Sequence, residues 1–319
     1  MNPTGGSVLA LSGGIGGAKL ALGLYRVLPP GALTVVANTG DDFEHLGLSI
    51  SPDLDTLLYT LAGIDNLETG WGRRDETWTF MAALEALGGE TWFKLGDGDL
   101  ATHVERTRRR RAGESLSAIT DDFRRRFRIS ARLLPMSDDP VRTRLLTEEG
   151  WLDFQDYFVR RRCAPAVREI IFSGASTARP PPDFLAALAD DDLRLVVICP
   201  SNPLISIDPI LAVPGLRQAL RECTAPVVAV SPLIGGKAVK GPTAKMMAEL
   251  GMPVDAATVA RHYHDILNIY VADEADAAVL SGLSMPTVLT QTLMQTLEDR
   301  ERLARHVLAA AARIRAPRN

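Results

Sequence analysis

The most constraining feature of the chain is a short apolar run, Ser7 to Leu11, that ends in Ser12-Gly13-Gly14-Ile15-Gly16-Gly17-Ala18-Lys19. The run reads as a buried strand and the glycine cluster as a turn. Ala18 to Leu28 then carries helical spacing through Leu20, Leu24 and Val27, stopped by Pro29-Pro30, and Leu33 to Ala37 is a second buried strand. Two strands separated by one helix pair in parallel, because a parallel pair needs a crossover. The first forty residues therefore commit the chain to α/β architecture.

Later segments repeat the alternation. Pro52 stands where a helix can begin, with Leu54, Leu57, Leu58 and Leu61 on its apolar face. Trp92 to Leu95 is expected as a strand leading into a Gly96-Asp97 turn. Arginine-rich helices flank Gly113, and Leu145 to Phe158 alternates too irregularly to assign. Glu169 to Phe172, Leu193 to Cys199, Pro226 to Val230, Ile266 to Ala272 and Pro286 to Leu289 are further strands. Asp183 to Ala189 and Leu216 to Leu220 read as helices between them, and Leu293 to Arg315 as a long terminal helix. The expected fold is one doubly wound, mostly parallel domain over 1–319, with a partly helical lobe inserted at about 99–168.

Composition narrows the class. With 46% hydrophobic residues and a net charge of −4, the chain is no disordered polymer. Charged residues interrupt it long before about 18 apolar residues accumulate, so no membrane span is expected. The N-terminal MNPTGGSVLALSGGIGG lacks the basic region of a signal peptide. Cys163, Cys199 and Cys223 have neither metal spacing nor an even disulfide count. The expected setting is cytoplasmic. Three basic clusters, Arg106 with Arg108 to Arg111, Arg124 to Arg126 with Arg128, and Arg160 to Arg162, read as solvated faces. Nucleic acid is not expected as a partner, because no aromatic residues interleave the clusters for base stacking.

In an open α/β sheet, ligands gather at the carboxyl ends of the strands. After the first strand, Ser12, Gly13, Gly14, Gly16 and Gly17 form a loop that lets the backbone approach an anion at a helix N-terminus. It is no Walker loop, since Leu20 follows Lys19. After the second, Asn38-Thr39-Gly40-Asp41-Asp42 and Ser51-Pro52-Asp53-Leu54-Asp55-Thr56 bring four carboxylates within fifteen residues. Helix capping accounts for one of Asp53 and Asp55. A hard divalent cation such as magnesium accounts for a member of each pair. Lys94 is placed to meet a phosphate or a ligand carbonyl. Ser201 and Asn202 in Pro200 to Pro203, and Ser231 before Pro232, suit a polar pocket for a base or ribose. Gly241-Pro242 with Lys245 is a further anion-site candidate, and His103, His262 and His264 stay without a role.

Taken in order, these segments resemble the 2-phospho-L-lactate transferase family of coenzyme F-420 biosynthesis. The resemblance rests on Ser12-Gly13-Gly14 with Gly16, Asn38 to Asp42, Pro52 to Thr56, Gly96-Asp97 with Asp99 to His103, Leu134 to Pro140, Phe154-Gln155-Asp156, Pro200 to Pro203 and Ser231-Pro232. It implies a Rossmann-like core, usually as a homodimer. It also implies transfer of a phospholactyl, phosphoenolpyruvyl or phosphoglyceryl unit from a guanylylated diphosphate donor to the deazaflavin Fo, with release of GMP. Asp55 and Lys94 would contact Fo, Asp41 with Asp55 would lie near magnesium, and either carboxylate could take the hydroxyl proton. Asp42 and Asp53 are the alternate ligands. The Ser12 to Gly17 loop and the Pro200 to Pro203 segment would border the guanosine diphosphate. Ser51 stands where many members carry Cys, and Gly98 where many carry Arg. The competing expectation is a non-catalytic deazaflavin- or nucleotide-binding protein of the same fold.

Overall fold

The structure, a computed structural model, describes residues 6–315. Its centre is a seven-stranded sheet: β1 (Ser7–Ser12), β2 (Leu33–Ala37), β3 (Arg132–Pro135), β4 (Leu193–Ile198), β5 (Val227–Val230), β6 (Ile269–Ala272) and β7 (Thr287–Leu289). The strands lie in the order β7-β6-β5-β4-β1-β2-β3, and every neighbouring pair is parallel. This is the doubly wound arrangement, and the winding reverses between β1 and β4.

Both faces of the sheet are covered. Along β1, Val8 and Ala10 point into one core and Leu9 and Leu11 into the other. Alternate residues of a strand face opposite ways, so a strand buried on both faces reads as unbroken apolar sequence. One core lies under α1 (Gly14–Val27), α2 (Pro52–Ala62) and the C-terminal helix Leu297–Arg315. Pro52 occupies the first turn of α2, where its missing N–H costs nothing, and Gly63 ends the helix with φ 67°.

Three expectations change. Trp92 to Leu95 forms no strand; the segment is a loop between α3 (Thr79–Ala86) and α4 (Asp97–Arg111). Glu169–Ser173 is a strand, but it pairs antiparallel with Arg142–Thr147, which also pairs with Gly150–Asp153, in a small separate sheet. The span read as an inserted lobe is divided: α5 (Leu116–Arg126) and β3 extend the main α/β layer, while Arg142–Thr147 and Gly150–Asp153 build the small sheet. β3 escaped the sequence reading because it is four residues long, starts with Arg132 and ends with Pro135. A strand ending in proline suits the sheet edge that it occupies.

Candidate active site

A cavity of about 560 Å³ opens at the carboxyl ends of β1 and β4, where the winding reverses. Gly13, Gly14 and Gly16 line one side, Ser201 and Asn202 face them, and Ser231 lies beyond. The glycines answer to close packing. A Cβ on Gly16 would fall 2.5 Å from the Pro200 carbonyl, and one on Gly17 2.6 Å from the Ser201 hydroxyl. Ser201 ties the two strand ends together: its Oγ accepts from the Gly13 N–H (3.1 Å) and donates to the Gly13 carbonyl (2.8 Å). Gly17 and Ser12 lie behind this wall, with the Ser12 hydroxyl buried and without a partner. The side chains of Asn202 and Ser231 are engaged by their own loops, through the Leu204 N–H (2.9 Å) and the Leu233 carbonyl (3.0 Å).

The four carboxylates separate into different environments. Asp41 and Asp53 are buried and line the cavity. Asp53 accepts from the Gly14 N–H (2.7 Å) at the start of α1 and from Asn38 Nδ2 (3.0 Å). It thereby takes the first helix-terminal donor that an anion was expected to meet. Asp41 Oδ1 has no hydrogen-bond partner. Burial, and then the charge of Asp53, push the Asp41 carboxyl well above the usual range; burial also raises Asp53 to about 6 against its two hydrogen bonds. Asp42 lies off the cavity, accepts from Ser51 Oγ (2.8 Å), and is raised by burial to about 7. An orphaned oxygen beside a second buried carboxylate, with no cation paired to either among the described residues, is the donor set that a hard divalent cation prefers.

Asp55 was expected beside Asp41 near magnesium and instead does not line the cavity. Arg106 Nη1 donates to its Oδ2 (3.1 Å) and Nη2 donates to its Oδ1. His103 bridges onward, with Nδ1 3.6 Å from Asp55 and Nε2 3.2 Å from Asp99. The Tyr59 hydroxyl donates to Asp99 (2.5 Å). Asp55, Asp99 and His103 offer ligand atoms within 4.8 Å of one another, but a cation there would compete with the guanidinium already on Asp55. Arg106, read from the sequence as part of a solvated face, is among the largest fully buried side chains. Its neighbours behave as expected: Arg108 pairs with Glu105, Arg109 with Glu114 and Asp122, and Arg126 with Asp122, all on the surface side. His262 pairs with Asp208 (2.8 Å), and Lys245 with Glu249 (2.5 Å).

Lys94 is exposed, lines the cavity, and has no hydrogen bond or ion pair among the described residues. Trp92 and Phe93 precede it in sequence, and Trp71 and Phe158 add further aromatic surface to the lining. These aromatic groups come from two loops and the helical turn Asp156–Arg160, so no sequence period could reveal them.

The family model for the 2-phospho-L-lactate transferase CofD matches residues 8–305. The chain belongs to the CofD family. A phosphoenolpyruvate transferase of Kitasatospora aureofaciens is 42% identical over 318 residues, covering 97% of this chain and 98% of that protein. One of Mycobacterium tuberculosis is 39% identical over 306 residues, covering 88% and 92%. Among solved structures, a UPF0052 family protein of Bacillus halodurans shares the fold, with a TM-score of 0.63 at 14% identity over 95% of this chain and 99% of that one. No helix among the described residues is long and apolar enough to cross a membrane.

At Gly98, where the family resemblance implies an arginine, a Cβ would lie 3.1 Å from Glu76 Oε1 and 3.2 Å from the guanidinium carbon of Arg73. Arg73 donates to the Gly98 carbonyl (2.9 Å). The Arg73–Glu76 ion pair of a preceding loop thus occupies the space beside this position.

Proposed function

We propose that this CofD-family protein transfers a phosphoenolpyruvyl unit from a guanylylated diphosphate donor to the ribityl hydroxyl of Fo, releasing GMP. The observation that carries the reading is the cavity at the β1/β4 reversal, which joins a glycine-lined wall, an uncompensated carboxylate pair and an aromatic rim. The names of relatives about 40% identical along nearly the full chain favour phosphoenolpyruvyl over the lactyl and glyceryl units.

In this reading the hydroxyl oxygen of Fo forms a bond to the phosphorus nearer the organic acid as the bond from that phosphorus to the GMP oxygen breaks, and the hydroxyl proton passes to the departing GMP phosphate. Little covalent chemistry falls to the protein, so positioning and electrostatics dominate. The loop from Gly13 to Gly16 and the Pro200–Asn202 segment border the nucleotide. Trp92 and Phe93 present flat apolar surface to the deazaflavin ring, and Lys94 supplies a point charge to one of its oxygens. Asp41 and Asp53 would hold magnesium, which when bound supplies positive charge to the diphosphate. Asp55 acts from behind: its pairing with Arg106 fixes the first turn of α2, and with it Asp53.

The test is to combine the protein, Fo and magnesium with each of the three guanylylated donors and weigh the products. Phosphoenolpyruvyl-Fo and an equal amount of GMP are expected. Absence of product from all three donors would overturn the reading in favour of a non-catalytic binder.

A further inference from the structure

A second cavity, of about 610 Å³, lies beside the first and is walled by residues of α1, α2 and the C-terminal helix. The two share Ile15, Lys19, Thr56 and Lys240. Five cations line the second cavity, Lys19, Arg26, Arg74, Lys240 and Arg300, against one carboxylate, Asp65. Arg26 is committed to Glu301 (3.4 Å), and Arg74 to Asp75 and the Gly63 carbonyl. The other three have no acidic partner. Arg300 is only 7% exposed, yet its side chain makes no hydrogen bond or ion pair among the described residues, and its Nε is buried and unmet. Lys240 is likewise unpartnered, and Lys19 reaches only the Met294 carbonyl (2.9 Å). Burial and then the charges of Arg300 and Lys240 lower the Lys19 pKa, so Lys19 feels both of the other cations.

Burying the Arg300 guanidinium without a counter-charge is unfavourable unless an anion completes the site, and the half-buried Lys19 and the exposed Lys240 line the same cavity. We propose that Lys19, Lys240 and Arg300 form the subsite for the carboxylate end of the transferred three-carbon acid, at the junction of the two cavities. This rests on the transferase reading above. In a phosphoenolpyruvyl or 2-phospholactyl donor the carboxylate is bonded to the same carbon as the oxygen leading to the diphosphate, so it lies close beside the diphosphate, where Lys19 and Lys240 line both cavities and Arg300 the second. The arginine offers a forked donor that matches a carboxylate, and the lysines offer point charges. The carboxylate is common to all three candidate acids, so the subsite selects for an acid rather than among them.

The test measures binding of phosphoenolpyruvate, inorganic phosphate and GDP separately to the full-length protein and to Arg300→Gln. Phosphoenolpyruvate should bind the wild type, and its affinity should fall by about tenfold to a hundredfold in the variant, with GDP affinity held within about twofold. With Fo and donor, the KM for donor should rise by a similar factor and the KM for Fo should not move. Lys240→Gln, at an exposed lysine, repeats the measurement should Arg300→Gln fail to fold. A parallel loss of GDP affinity would assign the cations to the nucleotide phosphates and overturn the proposal. So would inorganic phosphate binding as tightly as phosphoenolpyruvate, or unchanged affinities in both variants. Product formation with Fo tests the transferase reading separately, since the binding measurements need no turnover.

Discussion

Asp53 and Asp55 stand two residues apart in the first turn of α2, and the protein treats them in opposite ways. Asp55 is held by the Arg106 guanidinium and linked through His103 and Asp99 to Tyr59, so its charge is compensated within the fold. Asp53 has only hydrogen bonds, faces the cavity, and has the unpaired carboxyl of Asp41 as a neighbour. The same division separates the cations. Arg108, Arg109 and Arg126 are paired with acids near the surface, whereas Lys19, Lys240 and Arg300 have none. Compensated charge builds the scaffold here, and uncompensated charge lies along the cavity walls.

The division breaks most sharply at Asp41. Asp41→Asn should lower turnover by about a hundredfold to a thousandfold, the scale of losing one preorganised electrostatic group. The fold should survive, because Asp41 Oδ1 has no partner to lose. Magnesium should raise the melting temperature of the wild type and not of the variant; an equal rise in both removes Asp41 from the ion.

Asp55 should fail differently. Asp55→Ala leaves Arg106 buried and uncompensated, a loss of about 3–5 kcal/mol measurable by urea unfolding. Replacing both partners, Asp55→Leu with Arg106→Met, should recover much of that stability, since an apolar pair avoids the desolvation cost. Wild-type stability in Asp55→Ala would collapse the contrast with Asp53.

Lys94 sharpens the comparison at the cavity rim. If its charge serves only to hold Fo, Lys94→Ala raises the KM for Fo by about tenfold with turnover nearly unchanged. A matching fall in turnover would instead give it a transition-state role, and unmoved constants would leave it a surface lysine.

The smallest effect concerns Asp42, whose carboxyl is raised from an ordinary 3.8 to about 7. The folded state then binds its proton more tightly than the unfolded state, so this group's contribution is present below 3.8 and is lost as pH rises through about 7. Asp42→Asn lacks that loss. In chelator, its melting temperature relative to wild type should climb by a few degrees across this window and then level off. A difference independent of pH would show that Asp42 does not titrate there.

Several of these distinctions were legible in the chain itself. The strand–glycine loop–helix of Ser7 to Leu28 appears where it was expected, because both its hydrophobic period and its turn chemistry are local. Pro52 marks the start of α2 for the same reason. Trp92 to Leu95 reads as a strand because a short, mostly apolar run looks the same whether it pairs in a sheet or packs Leu95 against Ile50 and Met81. Glu169–Ser173 has strand sequence in either sheet, and only its partner, Arg142–Thr147, determines which one it joins.

The sequence by itself determined the α/β alternation, the loops that reach the carboxyl edge, and the carboxylates available there. Tertiary structure decided which of those carboxylates are matched by a cation within the fold and which line the cavity. Asp55 is neutralised by a residue 51 positions away, Asp53 is capped against a glycine 39 positions back, and Lys19 meets Arg300 across the packing of two helices. The reason is physical: helix and strand formation answer to neighbours a few residues apart, whereas the cost of a buried charge is set by whichever groups the folded chain brings within a few ångströms of it.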